Sequence, residues 1–148
     1  MSGLFGALDT SQIPEVMEDG THPFVLKSII PFHSENKGTD YLKFNFELLD
    51  QNSPFYRQPQ GKVTKWVQIY VDMDDDTFAD LDSNDQRRVI QNINYAKTWL
   101  KALKVPESEL EDPDFSVLTG LEGNGYGYSK DGYNGGPREW VLHSFKPY

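Results

Sequence analysis

The stretch YLKFNFELLD, residues 41–50, decides the fold class. Along it Leu42, Phe44, Phe46 and Leu48 alternate with Tyr41, Lys43, Asn45 and Glu47. A period of two sends the first set to one face of a β-strand and the second set to the other. The segment therefore predicts a strand with one core face and one face open to solvent or ligand. Upstream, PFVLKSIIPF (23–32) is a β-rich run bounded by prolines, which predicts a strand with a break at Pro31. HSENKGTD (33–40) is rich in turn formers, so the two strands are expected to form a hairpin.

Downstream, QNSPFYRQPQG (51–61) is a polar loop carrying the trio Phe55-Tyr56-Arg57. KVTKWVQIYVD (62–72) predicts a third strand. Its core face is Val63, Val67, Ile69 and Val71, interrupted by Lys65, and its other face is Thr64, Trp66, Gln68 and Tyr70. A helix is expected from about Asn84 to Lys104, with Ser83 and Gln86 as an N-terminal capping pair. Val89, Ile90, Ile93, Ala96, Leu100 and Leu103 form its apolar stripe; Arg87, Arg88, Lys97, Lys101 and Lys104 make the solvent side basic. FSVLTGLEGNGYGYSK (115–130) reads as a glycine-interrupted strand and REWVLHSFKP (138–147) as the last, joined across DGYNGGP (131–137). Residues 1–20, with Gly3, Gly6, Pro14 and Gly20, read as a loosely ordered arm, leaving 21–148 as a single domain.

The predicted order is three antiparallel strands, a helix, then a hairpin. That β-β-β-α-β-β order points to a mainly β protein built as a five-stranded OB-fold barrel, with an α+β sandwich as the competing architecture.

The chain has 148 residues, a net charge of −9 and no cysteine, which excludes disulfides and thiolate metal sites. The N-terminal segment lacks the basic and apolar regions of a signal peptide, and no apolar run is long enough to span a membrane. A cytoplasmic protein is expected. Its acids are segregated: residues 1–20, 72–85 and 107–114 hold 16 of the 23 Asp and Glu and none of the 14 Lys and Arg. A basic face can therefore coexist with the negative total.

His22, His33 and His143 share no metal-ligand spacing, the acid run DMDDD (72–76) fails the EF-hand pattern, and no nucleophile or P-loop motif is present. The expectation is a protein that is not an enzyme and carries no cofactor. Aromatic residues interleaved with cations point instead to a single-stranded nucleic-acid groove, where bases stack on rings and cations track phosphates. Tyr41, Trp66, Tyr70, Tyr126, Tyr128 and Tyr133 are the candidate stacking residues. Lys43, Lys62, Lys65, Lys130 and Arg138 are the candidate phosphate contacts. Against this, Trp140, Leu142 and Phe145 read as core, with Tyr128 a possible member of the same group.

NINYAKTWLKALKV (92–105) followed by LTGLEGNGYGYSKDGYNGGPREWVLHSFKP (118–147) resembles the C-terminal half of small phage-encoded single-stranded DNA-binding proteins. The shared pattern is a helix ending in a W-L-x-A-L run, a strand opening L-x-G, and a closing hairpin. Gly120, Tyr133, Asn134, Gly135, Arg138, Val141, Phe145 and Pro147 match it, over roughly residues 84–148. The resemblance implies an OB-fold protein that coats single-stranded DNA in phage replication or recombination, within the host cytoplasm and without catalysis. Many such proteins end in an acidic peptide that recruits partners, whereas this sequence ends HSFKPY. Contacts with replication or recombination proteins would then fall to the acidic segments, in the N-terminal arm and two internal loops. The alternative function is an acidic interaction protein: a DNA mimic, or an accessory or virion component.

Overall fold

The computed structural model of the chain describes residues 15–148. Its centre is the predicted hairpin: β1 (Gly20–Ser34) and β2 (Thr39–Leu48) pair antiparallel across a turn closed by Gly38 N–H on the Ser34 carbonyl at 2.7 Å. Gly38 has φ 63°, a left-handed conformation that glycine adopts without a Cβ clash. On β2 the alternation holds throughout, with Leu42, Phe44, Phe46 and Leu48 buried. β1 does not break at Pro31, which pairs in register with Leu42. In this half β1 is paired on one side only, because β4 meets it at Gly20–Val25, and a strand edge tolerates a missing N–H donor.

A bulge interrupts β1 between Leu26 and Ser28. Phe24, Leu26 and Ile29 are all buried although the last two are three residues apart, because Lys27 is the extra residue. Beyond it the parity reverses, so Ser28, Ile30 and Phe32 point away from the core.

β3 (Lys62–Ile69) pairs with β2 and ends before the predicted residues 70–72; Val71 is 67% exposed rather than in the core. The acid run then contains an unexpected single-turn helix, α1 (Asp75–Ala79), capped by the Asp74 carboxylate accepting from Thr77 N–H at 2.7 Å. The long helix α2 (Ser83–Ala102) starts one residue earlier than expected, and its cap is Asp82, accepting from Asp85 N–H at 2.8 Å. Ser83 and Gln86 do not form the predicted capping pair. The Gln86 side chain donates instead to the Phe78 carbonyl at 3.0 Å and ties α2 to α1.

Ala96, Trp99, Leu100 and Leu103 join the core over the sheet, and Val89 is buried nearer the start of the helix. Trp99 lies 5.8 Å from Phe44 and 6.5 Å from Phe46, ring centre to ring centre. Ile90, assigned to this stripe by sequence, is half exposed because one helical step from Val89 rotates it off the buried face.

Residues 115–121 do not continue a strand. Phe115–Val117 is a 3-10 turn, and Leu118 plugs the core behind it. β4 is Glu122–Lys130 and β5 is Glu139–Pro147. Trp140, Leu142 and Phe145 are buried, as the core reading of the last strand requires, while Tyr128 is 42% exposed.

Gly123, Gly125 and Gly127 are the inward residues of β4. A Cβ on Gly125 would stand 2.7 Å from the Phe24 ring and 2.8 Å from Leu142; on Gly127 it would meet the Trp140 ring at 2.5 Å. At Gly125 and Gly127 the space of a Cβ is thus taken by neighbouring core side chains, and at Gly123 by the backbone of Lys146 and Pro147.

The strands form one sheet in the order β3-β2-β1-β4-β5, every pairing antiparallel. The two edge strands β3 and β5 approach within 8 Å (Cα–Cα) without pairing, and α2 packs on both. Three phenylalanines, Phe24, Phe44 and Phe46, are essentially fully enclosed. Each such ring contributes roughly 1.5–3 kcal/mol relative to an exposed position.

Residues 1–14 of the predicted arm lie outside the described residues. Its remainder, Glu15–Asp19, is fastened to the sheet rather than loose. Met17 is buried, Trp140 Nε1 donates to the Glu18 carbonyl at 3.0 Å, and Ser129 N–H donates to the Asp19 carboxylate at 2.8 Å.

Candidate functional site

The outward residues of β1, β2 and β3 line up in three cross-strand rows. The first is Ser28, Asn45 and Thr64, the second Ile30, Lys43 and Trp66, the third Phe32, Tyr41 and Gln68. In the first row Thr64 Oγ1 donates to Asn45 Oδ1 at 3.0 Å and Asn45 Nδ2 to Ser28 Oγ at 2.9 Å, a flat polar ladder. The other two rows make an aromatic platform. Trp66 stands edge-to-face with Phe32 at 5.2 Å and with Tyr41 at 6.1 Å between ring centres. The Lys43 ammonium lies 5.3 Å from the Trp66 ring centre. Ile30 and Phe32 are each 46% exposed and Trp66 45%. Three large apolar side chains side by side in water carry a hydrophobic cost that a flat ligand would remove.

Of the sequence-predicted residues, Tyr41, Lys43 and Trp66 are thus brought together. Ile30 and Phe32 join them without having been foreseen. The signal was in the sequence as the alternation Ser28, Ile30, Phe32, but its face depends on the bulge at Lys27.

Two predicted members are drawn elsewhere. Tyr70 lies past the end of β3, and its hydroxyl accepts from Asn92 Nδ2 of α2 at 2.8 Å; the same amide donates to Gln68 Oε1 at 3.3 Å, which ties this ring and the end of the third row to the helix. Lys65 occupies the face opposite Trp66, its ammonium 5.5 Å from the ring centres of both Tyr95 and Trp99. The long stem covers apolar surface between β3 and α2 while the charge stays at the rim.

Lys62 and Arg138 both border the seam between the sheet edges. A groove of ≈ 670 Å³ runs there, lined by Lys62, Thr64, Arg138, Glu139 and Trp140 among others. Arg138 is committed within its own hairpin, pairing with Asp131 at 2.8 Å and donating to Ser129 Oγ at 3.0 Å.

Tyr126 and Tyr128 stand on the outer face of β4, 47% and 42% exposed, with the His143 ring 6.1 and 6.4 Å away. Lys130 is exposed at the end of β4. Tyr133 is 88% exposed on the β4–β5 turn, beside Asn134 at φ 51° and Gly135 at φ 76°. Tyr126 and Tyr128 stand apart from the platform, because β4 pairs with β1 at Gly20–Val25 and the platform rows begin at Ser28.

Charge is divided along the same lines. Two acids that follow α2 answer its own lysines, Glu107 with Lys101 at 3.3 Å and Glu111 with Lys97 at 3.7 Å. Among the described residues no carboxylate pairs with Lys43.

The histidines lie apart, His22 Nε2 donating to the Glu18 carbonyl at 2.7 Å and His33 paired with Asp40 at 2.8 Å. Among the described residues no three His, Cys, Asp or Glu side chains gather as a metal site, and no helix is long and apolar enough to cross a membrane. No family model and no curated protein sequence matches the chain.

Proposed function

We propose that this protein is an OB-fold module that binds single-stranded DNA without sequence preference, by stacking bases on the outer face of β1, β2 and β3. The observation that carries the reading is the Phe32–Tyr41–Trp66 cluster with Lys43 over the indole. Every base has a π-face, so an aromatic platform accepts any sequence, and each stacked base contributes about 1–3 kcal/mol.

The sheet order β3-β2-β1-β4-β5, its unpaired but adjacent edges, and the helix between β3 and β4 support the OB architecture. In that fold, the face of strands two and three and the loops after strands one and four take the ligand. Tyr41, Lys43, Trp66 and Tyr133 lie on those parts, and Arg138 borders them at the start of β5. The resemblance of residues 84–148 to phage single-stranded DNA-binding proteins supports a role in phage replication or recombination, in the host cytoplasm and without catalysis. The acidic segments 72–85 and 107–114 would then be the contacts for replication or recombination proteins. A DNA mimic needs an unbroken acidic face, and the pairing of Glu107 and Glu111 with α2 lysines weighs against it.

The test is fluorescence anisotropy with labelled oligo-dT against duplex of equal length, at two salt concentrations. Salt-sensitive binding to the single strand alone is expected. Of the three tryptophans only Trp66 is exposed, so quenching of emission on binding reports the platform itself. Binding without quenching, or equal binding to duplex, would overturn the assignment.

A further inference from the structure

Below the polar ladder the outer face ends in a second, smaller pocket of ≈ 220 Å³, lined among others by Lys27, Glu47, Tyr56, Arg57, Gly61 and Lys62. Three cations face one acid there. Among the described residues none of the three cations is in an ion pair. Each reaches the pocket by a specific local device. Lys27 is the extra residue of the β1 bulge, an irregularity that re-aims a side chain out of the strand's alternation. Arg57 is held at φ 60°, a left-handed conformation uncommon for a residue with a Cβ, and its guanidinium lies 5.2 Å from the Tyr56 ring centre.

The loop that holds Arg57 is pinned at both ends. Phe55 is buried, Gln58 N–H donates to the Phe55 carbonyl at 3.0 Å, and Gly61 N–H donates to the Gln58 carbonyl at 2.9 Å. A Cβ on Gly61 would lie 2.3 Å from the Phe55 carbonyl oxygen, so only glycine lets the loop close this tightly against the start of β3. Lys62 follows at once and sits opposite Glu47 in the ladder. The result is a concave site with an excess of two positive charges on backbone held in a defined conformation.

We infer that this pocket binds a phosphate group, and that the phosphate belongs to the backbone of the strand whose bases stack on Trp66; the second clause rests on the proposed function above. Lys62, Thr64 and Trp66 share one face of β3, so pocket and platform are about 13 Å apart along the strand at ~3.3 Å per residue. Between them lie only the short side chains of Ser28, Asn45 and Thr64, tied to one another and low enough for a nucleic-acid chain to pass over. An arginine fork beside two ammonium groups suits a tetrahedral oxyanion, the fork giving paired N–H donors and the lysines point charge.

The experiment compares the parent protein, Lys27→Gln, Lys27→Gln/Arg57→Gln, and Arg88→Gln on α2 as a charge-loss control. Oligo-dT binding is measured across a salt series, and inorganic phosphate alone is titrated while backbone amide shifts are followed by NMR. Each phosphate neutralised contributes about 0.7 to the log–log salt slope for single strands. The double variant should lower the slope by about 0.7, Lys27→Gln by a part of that, and Arg88→Gln by nothing, with Trp66 quenching at saturation unchanged. Phosphate should shift the amides of residues 57–62 in the parent and not in the double variant.

If the parent binds oligo-dT and the double variant keeps the full slope, the phosphate site is overturned while the platform stands. If the parent fails to bind oligo-dT, the proposed function fails, and the phosphate titration decides the pocket separately. Shifts at 57–62 would keep an anion site with a different source of phosphate, and their absence would overturn it.

Discussion

Lys43 and Trp66 are direct cross-strand partners on β2 and β3, and the lysine ammonium lies 5.3 Å from the indole ring centre. The pair places a cation beside the exposed ring that is best suited to stacking. Such a contact contributes about 0.5–1 kcal/mol at an exposed site, and it holds the indole in one orientation. A ligand with flat bases and a charged backbone can use both members at once.

Trp66→Ala should weaken oligo-dT binding by about 1–3 kcal/mol, roughly 5- to 150-fold, and abolish the quenching signal. Tyr70→Phe removes a hydroxyl engaged with Asn92, off the platform, and should leave the affinity unchanged. Anisotropy titrations of both proteins check this, with circular dichroism confirming the fold. An equal loss for the two would place the binding face nearer α2.

Gly127→Ala should destabilise the fold by roughly 1–3 kcal/mol or more, because its Cβ would overlap the Trp140 ring and the Val141 carbonyl oxygen at 2.3 Å. Tyr126→Ala, on the adjacent outward position, should stay within about 0.5 kcal/mol. Urea denaturation of the two variants tests the packing role of Gly127.

Asp82→Ala should cost about 1 kcal/mol by leaving the Asp85 N–H without its cap. Ser83→Ala, already inside the helix, should lie within about 0.5 kcal/mol of the parent. The opposite ranking in thermal melts would restore the cap expected from sequence.

The Asp74 carboxyl is held below the ordinary aspartate range by hydrogen bonds from the Thr77 side chain and then its backbone, and Asp114 is held there in the same way by Ser116. A depressed folded value means that each bond adds stability above the unfolded value and loses it as pH falls through the folded one. The Thr77 and Ser116 amide resonances should therefore titrate with midpoints below the ordinary aspartate range, and Asp74→Asn should remove the Thr77 transition. A midpoint at or above that range would contradict the capping geometry.

Much of the sheet was legible because β2 obeys one rule from end to end: Leu42, Phe44, Phe46 and Leu48 are apolar, their neighbours polar, and the burial follows. The last strand was legible in its core, Trp140, Leu142 and Phe145, despite irregular spacing. Failures arose where two local rules competed. Asp82 and Ser83 are both good caps, and only the position of α1, which takes the Gln86 side chain, selects the aspartate. Residues 115–121 are apolar enough for a strand, but Leu118 is used as a plug under a tight turn.

The sequence by itself determined the strand-forming segments, the long helix, the segregation of the acids and the presence of surplus aromatic residues. These follow from periodicity and composition, which act within a few residues. Only the tertiary structure decided which aromatics stand together. Phe32 joins Trp66 because one bulged residue, Lys27, reverses the parity of β1, and Tyr70 and Lys65 leave because α2 offers Asn92 and two rings. Gly125 and Gly127, too, acquire their reason only when Phe24, Leu142 and Trp140 arrive from other strands to fill the space a Cβ would take. A side chain's face is set by register, and register is a property of paired strands, not of one segment alone.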